Sequence, residues 1–453
     1  MTYRQLLSGN ADFRRLWAGQ VVSEVGDWLN NIAVLALAIE LAGAGRVGLA
    51  VATYAIARHL PLFLFGPVAG VVVDRVSRRR VMIAADVGRA GLALGFLLAN
   101  RSGSLALIYF VGASLFSVSA FFNAAKRASI PNLVGSTEEL LAANSLSAST
   151  TAATIAVGSA LGGVVATALG RDTVFVLNAL TFLASAEMIR RIVGGRRKAA
   201  GSSPRVEHVE GLTRSSQHKG FQLPAAIRLL PNALRRAAAD FREGLRYVRR
   251  DRVLWAVFVV AGGWGLGNGA ARALYSLFGA SLGEQAAVRW GASVSAVAER
   301  PTDFGISVLF VAMGLGGVLG APLARRFNSG AVEGLGARMG RSLTLDGCGL
   351  LLFSLTPNLF GAAALLIARE MNFAIWWTAQ QTLLMRRTED AFAGRVFASY
   401  ETLTTLMMVG SMLVSGAAAD RLGMRAVAAG GGAVIMLSGL LWFALRRRDG
   451  ETG

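Results

Sequence analysis

The 453-residue chain has one cysteine, Cys348, and three histidines, His59, His208 and His218. A single thiol excludes an internal disulfide. With no Cys/His cluster, a zinc or iron site is not expected, nor any other metal or cofactor. Charge is scarce too: 16% of residues are Asp, Glu, Lys or Arg and 54% are hydrophobic, against about a quarter charged in an ordinary soluble chain. A water-soluble fold is thereby excluded. Acids are the scarcer sign, 27 against 46 bases, and the formal net charge is +19. Such an excess can signal nucleic acid, but here the bases lie between apolar runs and not on a soluble domain, so no nucleic-acid partner is expected. The apolar runs also lack a His/Cys/Asp constellation suited to hydrolysis or metal chemistry, which argues against an enzyme.

What is abundant is membrane-length apolar sequence. Runs between charge or turn signals give spans near 16–40, 47–73, 81–100, 104–125, 145–169, 172–193, 253–281, 304–324, 341–356, 359–385, 396–419 and 426–445, each close to the roughly 20 residues that cross a bilayer. The first is too long for a signal-peptide core, carries acids and has no plausible cleavage site, so it reads as an uncleaved helix. Counted in alternate loops, the bases separate. Only Arg46, Arg101, Arg171, Arg289, Arg300, Arg421 and Arg425 fall in the odd-numbered loops, and Arg58, Arg89, Arg272 and Arg369 fall inside spans. The rest lie in the two tails and the even-numbered loops, which places both termini in the cytoplasm.

The one long polar segment, 194–252, divides the chain into an N-terminal half, 1–193, and a C-terminal half, 253–453. Its first part, through Lys219 and Gly220, is polar and aperiodic and reads as flexible linker. After Pro231 the residues Leu234, Ala238, Phe241, Leu245 and Val248 recur at spacings of 4, 3, 4 and 3 among arginines, which predicts an amphipathic helix on the anionic inner leaflet. The halves repeat each other weakly: Val157-Gly158-Ser159-Ala160-Leu161 returns as Val409-Gly410-Ser411-Met412-Leu413, and Gly70 and Arg75 map onto Gly320 and Arg325. The expected fold is an all-α polytopic membrane protein: twelve transmembrane helices in two pseudo-symmetric six-helix halves around a central cavity.

Ionisable residues inside spans are costly and point to function. In span one, Gln20, Glu24, Asp27 and Asn31 follow each other at 4, 3 and 4 and share a helical face. Arg58 lies midway along span two, level with Asp27, and a buried pair between them would let both be tolerated. Asp86 and Arg89 stand at i and i+3 and can satisfy each other. Span ten carries Arg369, Asn372, Trp376 and Gln380 on one stripe and Glu370, Trp377 and Gln381 on the next, a wall able to stack flat groups and hydrogen-bond them. Asn268 and Arg272 in span seven and Glu401 in span eleven complete the set. Glu24, Asp27, Arg58, Glu370 and Glu401 are the candidates for proton coupling, because a carboxylate whose neighbours change as helices move changes its proton affinity. Gln20, Asn31, Asn268, Arg369, Asn372, Trp376, Trp377, Gln380 and Gln381 are the candidates for the substrate cavity.

Gly70-x-x-x-Asp74-Arg75-x-x-Arg78-Arg79 resembles the signature loop between the second and third helices of the major facilitator superfamily, with Ser77 where that loop usually has Gly. Together with Asn10-x-x-Phe13-Arg14-x-Leu16-Trp17, Gly26-Asp27-Trp28, Pro131-Asn132-Leu133, Gly244-Leu245-Arg246-Tyr247 and Gly394-Arg395-Val396-Phe397, it is similar to the bacterial branch containing macrolide efflux and siderophore export proteins. The resemblance implies a monomeric secondary transporter in the bacterial cytoplasmic (inner) membrane. It would export small amphipathic molecules by alternating access, with protons as the driving ion. A lysophospholipid flippase or an uptake symporter would share the fold. The resemblance also implies that Asp74 lies against the start of span eleven, near Gly394 and Arg395.

Overall fold

The computed structural model describes residues 2–193, 235, 238–290, 299–328 and 334–447. A short helix α1 (Tyr3–Gly9) precedes twelve long ones. The first six of these are α2 (Ala11–Leu41), α3 (Val47–Arg75), α4 (Arg78–Ser102), α5 (Leu105–Leu133), α6 (Thr137–Leu169) and α7 (Arg171–Arg190). The second six are α8 (Arg252–Trp290), α9 (Pro301–Asn328), α10 (Leu335–Leu355), α11 (Leu359–Arg387), α12 (Asp390–Leu422) and α13 (Met424–Arg447). Eleven are long and apolar enough to cross a membrane. The twelfth, α10, carries Arg338, Arg341 and Asp346, and those charges dilute its apolar character.

Local chemistry explains where the helices start and stop. The side chain of Asn10 caps α2 by accepting from the Phe13 amide, Ser104 caps α5, Ser136 caps α6 and Asn358 caps α11. These caps start α6 at Thr137, eight residues before the expected apolar span, so the helix projects beyond the hydrocarbon. Gly170 and Gly423 turn the chain at φ +88 and +85, the left-handed region open to glycine. Each therefore joins two antiparallel helices in a single residue.

Helices α2–α7 pack chiefly on one another, and so do α8–α13, while α6 against α9 and α3 against α12 join the two halves. Glycine permits the closest crossings. A Cβ on Gly158 or Gly162 would strike the backbone of Val25 or Leu29 in α2, and one on Gly314 would strike Ala156 of α6. An even number of crossings puts both termini at one end of the bundle, here the terminal face. The one-residue turns lie at the opposite, far face.

The halves are clasped at the far face. Arg171 of α7 reaches across to Asp303 of α9, with Nε–Oδ1 3.1 Å and Nη2–Oδ2 2.8 Å, and also pairs with Glu40. Arg300 donates to the Ala166 carbonyl at 2.8 Å. On the other seam Asp420 accepts from the amides of Gly48 and Leu49 at 2.7 and 2.9 Å, capping the start of α3.

The helix over residues 238–248 sits on protein. Gly244 packs against Arg395 and Ser399 of α12, Tyr247 stacks on Phe392 at 4.6 Å, and the Ser399 hydroxyl donates to the Phe241 carbonyl. The helix turns Gly244 and Val248, its buried residues, toward its own chain, because a glycine in that stripe admits close approach to α12. The linker reading of 200–220 lies outside the described residues.

Candidate functional site

The span-one face is assembled as its spacing predicts, with partners that spacing alone does not give. Glu24 accepts from Gln20 at 2.9 Å and from Thr154 at 3.1 Å, and pairs with Lys126 of α5 at 3.3 Å. Asp27 lies 3.8 Å from Arg89 of α4. Arg89 is 3% exposed and also pairs with Asp86, which accepts from Ser185 at 2.8 Å. The rings of Phe122 and Phe182 flank its guanidinium at 4.1 and 4.3 Å. Asp27 thus shares its counter-ion with a fully buried acid and keeps 18% of its side chain exposed.

Arg58 is not the ion-pair partner of Asp27. It donates to Asn31 Oδ1 at 2.9 Å and is sandwiched by Trp28 and Phe116 at 4.7 and 4.6 Å. The two residues are level, as expected, but ring stacking turns the guanidinium toward Asn31, one turn further along the same face. Between the halves a cavity of about 60 Å³ is lined by Trp28, Asn31, Tyr54, Arg58 and His59 of the first half, and by Arg272, Tyr275, Phe310, Met313 and Met412 of the second.

In the second half, Arg369 pairs with Asp346 of α10 at 3.0 Å and donates to Tyr275 and to Asn268. Asn372 exchanges hydrogen bonds with Ser342. Trp376, 1% exposed, is packed in an aromatic cluster with Trp264, Phe373 and Trp377, and Gln380 is fully buried. Gln381 is half-buried. The span-ten stripes therefore serve the interior of their own half as much as the space between halves. Glu370 is half-buried and Glu401 exposed, and neither makes an ion pair among the described residues.

In the signature loop, Arg78 donates to the Ala128 carbonyl at 2.5 Å and Arg79 to that of Arg190, where a helix C-terminus favours cations. Asp74 and Arg75 are exposed. A Cβ on Gly70 or Gly394 would meet open space. Arg395 faces Glu243 at 3.3 Å and Asp240 at 3.9 Å, so Asp74 does not hold it in this arrangement. Sequence reasoning passed over Asp346, Lys126, Asp303 and Asp420, whose partners all lie on other helices.

Residues 16–411 match the Major Facilitator Superfamily. The chain belongs to that superfamily. It is 24% identical over 442 residues to the uncharacterized MFS-type transporter YfiS of Bacillus subtilis (strain 168), covering 94% of this chain and 91% of that one. It is 23% identical to the putative bacilysin exporter BacE of Bacillus subtilis, over 79% and 77% of the two chains. Macrolide efflux protein A of Streptococcus pyogenes is 35% identical over a 75-residue stretch, 17% of this chain and 18% of that one. Among solved structures, a bacterial homologue of the iron transporter ferroportin superimposes with TM-score 0.66 at 12% identity, over 98% of this chain and 99% of that one. A bacterial homologue of the lysosomal transporter Spinster gives 0.62 at 12% identity, over 96% and 97%. The superfamily member described here is a transporter and not an enzyme.

Proposed function

We propose that this transporter exports small amphipathic molecules across the bacterial cytoplasmic membrane by alternating access, driven by protons. The far-face clasp carries the reading. Arg171–Asp303 and Asp420 with the α3 amides join the halves at the far face, and an arrangement held shut there is the one expected to admit substrate from the terminal face. The bias of Lys and Arg toward that face makes it cytoplasmic, with both termini inside. Export is favoured by the efflux and exporter names of two relatives. Residues 1–193 and 253–453 act as the moving halves, and 194–252 connects them. Asp27 and Glu24 are the proton carriers, and Asp74 and Arg395 bias the two end states.

The test uses inside-out membrane vesicles containing the chain, energised by respiration and offered a radiolabelled macrolide and a radiolabelled dipeptide. Accumulation of one of them, abolished by a protonophore, is the expected result. Accumulation only in right-side-out vesicles would replace export by uptake. Movement of labelled lysophospholipid alone would replace it by lipid flipping.

A further inference from the structure

Most buried cations in the bundle have an acid of their own. Arg89 has Asp86 and Asp27, Lys126 has Glu24, and Arg369 has Asp346. Arg58 and Arg272 have none within ion-pair distance among the described residues, and both line the cavity between the halves. Beside them stand His59 and Tyr54. The ring Nδ1 of His59 is bonded to the Ala55 carbonyl at 2.8 Å, which turns Nε2 away from its own helix. The Tyr54 hydroxyl is buried without a well-formed hydrogen bond. No carboxylate lines the cavity.

Two guanidinium groups facing one small space at membrane depth repel each other and are costly to desolvate. Arg58 uses one N–H on Asn31, and the Trp28 and Phe116 rings fix its plane, so donors remain from the five each guanidinium carries. We propose that this cavity receives the anionic head group, a carboxylate, sulfonate or phosphate, of a substrate whose remainder is aromatic or apolar. The size agrees: about 60 Å³ holds a few water-sized groups and no whole substrate. The walls agree as well, since Trp28, Phe310, Met313 and Met412 offer flat and adaptable apolar contact to the body behind the head group. Because Arg58 belongs to the first half and Arg272 to the second, one anion would bridge the halves.

The inference rests on the transport reading for its physiological meaning, and its test separates the two. Binding of 2-naphthoate, 2-naphthylmethanol and 2-naphthylmethylammonium to purified protein is measured by tryptophan quenching. The acid should bind about tenfold more tightly than the other two, a margin set by charge-assisted hydrogen bonds. Arg58→Gln and Arg272→Gln should each remove most of that margin while leaving the alcohol unchanged, and Arg58→Lys should keep part of it. Lysophosphatidylglycerol against lysophosphatidylcholine repeats the comparison with a lipid source of the same head group; a preference for the anionic lipid that the Arg variants lose supports the proposal equally. Equal affinity across both charge series in the wild type, which needs no variant to fold, overturns it. So does an undiminished preference for the acid in both folded Gln variants. Charge-selective binding without movement of any probe into vesicles would sink the transport reading and leave the site standing.

Discussion

The two halves bury charge in different ways. In the second, Arg369 and Asp346 are 3% and 2% exposed, and the arginine is further held by Tyr275 and Asn268. In the first, Arg89 is equally buried but serves two acids, and one of them, Asp27, stays 18% exposed. A sealed pair with one partner each holds a helix in place, since removing either member strands the other in low dielectric. A shared cation lets one acid come and go, because the other still neutralises it. The second cluster therefore has the geometry of a fixed pair and the first that of an exchangeable one.

The largest effect that would break this comparison is on stability. Asp346→Asn leaves Arg369 without its acid, and a loss of about 3–5 kcal/mol is expected, read as a melting temperature lower by about 5 °C or more in detergent. Wild-type melting of this variant would mean that the sealed pair holds nothing. The next effect is functional. Asp27→Asn should abolish gradient-driven transport in proteoliposomes yet permit downhill exchange, with melting shifted by about 2 °C or less because Asp86 still pairs Arg89. If Asp27→Asn and Glu24→Gln both retain uphill transport, the coupling role passes to Glu370 or Glu401. The smallest effect is on the end-state balance. Asp74 is exposed and Arg395 is engaged by Glu243 and Asp240 while the far face is clasped. Asp74→Asn should favour this arrangement and lower transport without lowering expression. The readout is thiol labelling of Gly394→Cys in a chain with Cys348→Ala, where the new side chain has room. Labelling and transport both unchanged would remove Asp74 from the mechanism.

How much of this was legible in the sequence follows from the range of each interaction. The spans could be read because each is set by its own apolar run, and the Asp86–Arg89 pair because one helical turn brings i and i+3 together. The face shared by Gln20, Glu24, Asp27 and Asn31 was legible for the same reason. That Asp27 would meet Arg89 and not Arg58 was not, because the outcome depends on how α3 and α4 are rotated about their axes, and the rings of Trp28 and Phe116 decide it. Asp346 escaped notice since its partner lies 23 positions away on another helix. The polar stripe of α11 pointed to a cavity wall, whereas Trp376 and Gln380 are enclosed by their own half. A mixed polar and aromatic face looks the same in sequence whether water or packed side chains lie beyond it.

The far-face clasp has a consequence for timing. Its members differ in exposure: Glu40 is 63% exposed, whereas Arg171 is 11% exposed and Asp303 fully buried. The outer contact can be exchanged for water at little cost, but parting Arg171 from Asp303 strands a buried acid, so the inner pair sets how firmly the latch holds. Rising ionic strength should therefore loosen the Arg171–Glu40 contact more than the Arg171–Asp303 pair, because exposed charges are screened within about 8 Å at physiological salt and buried ones much less.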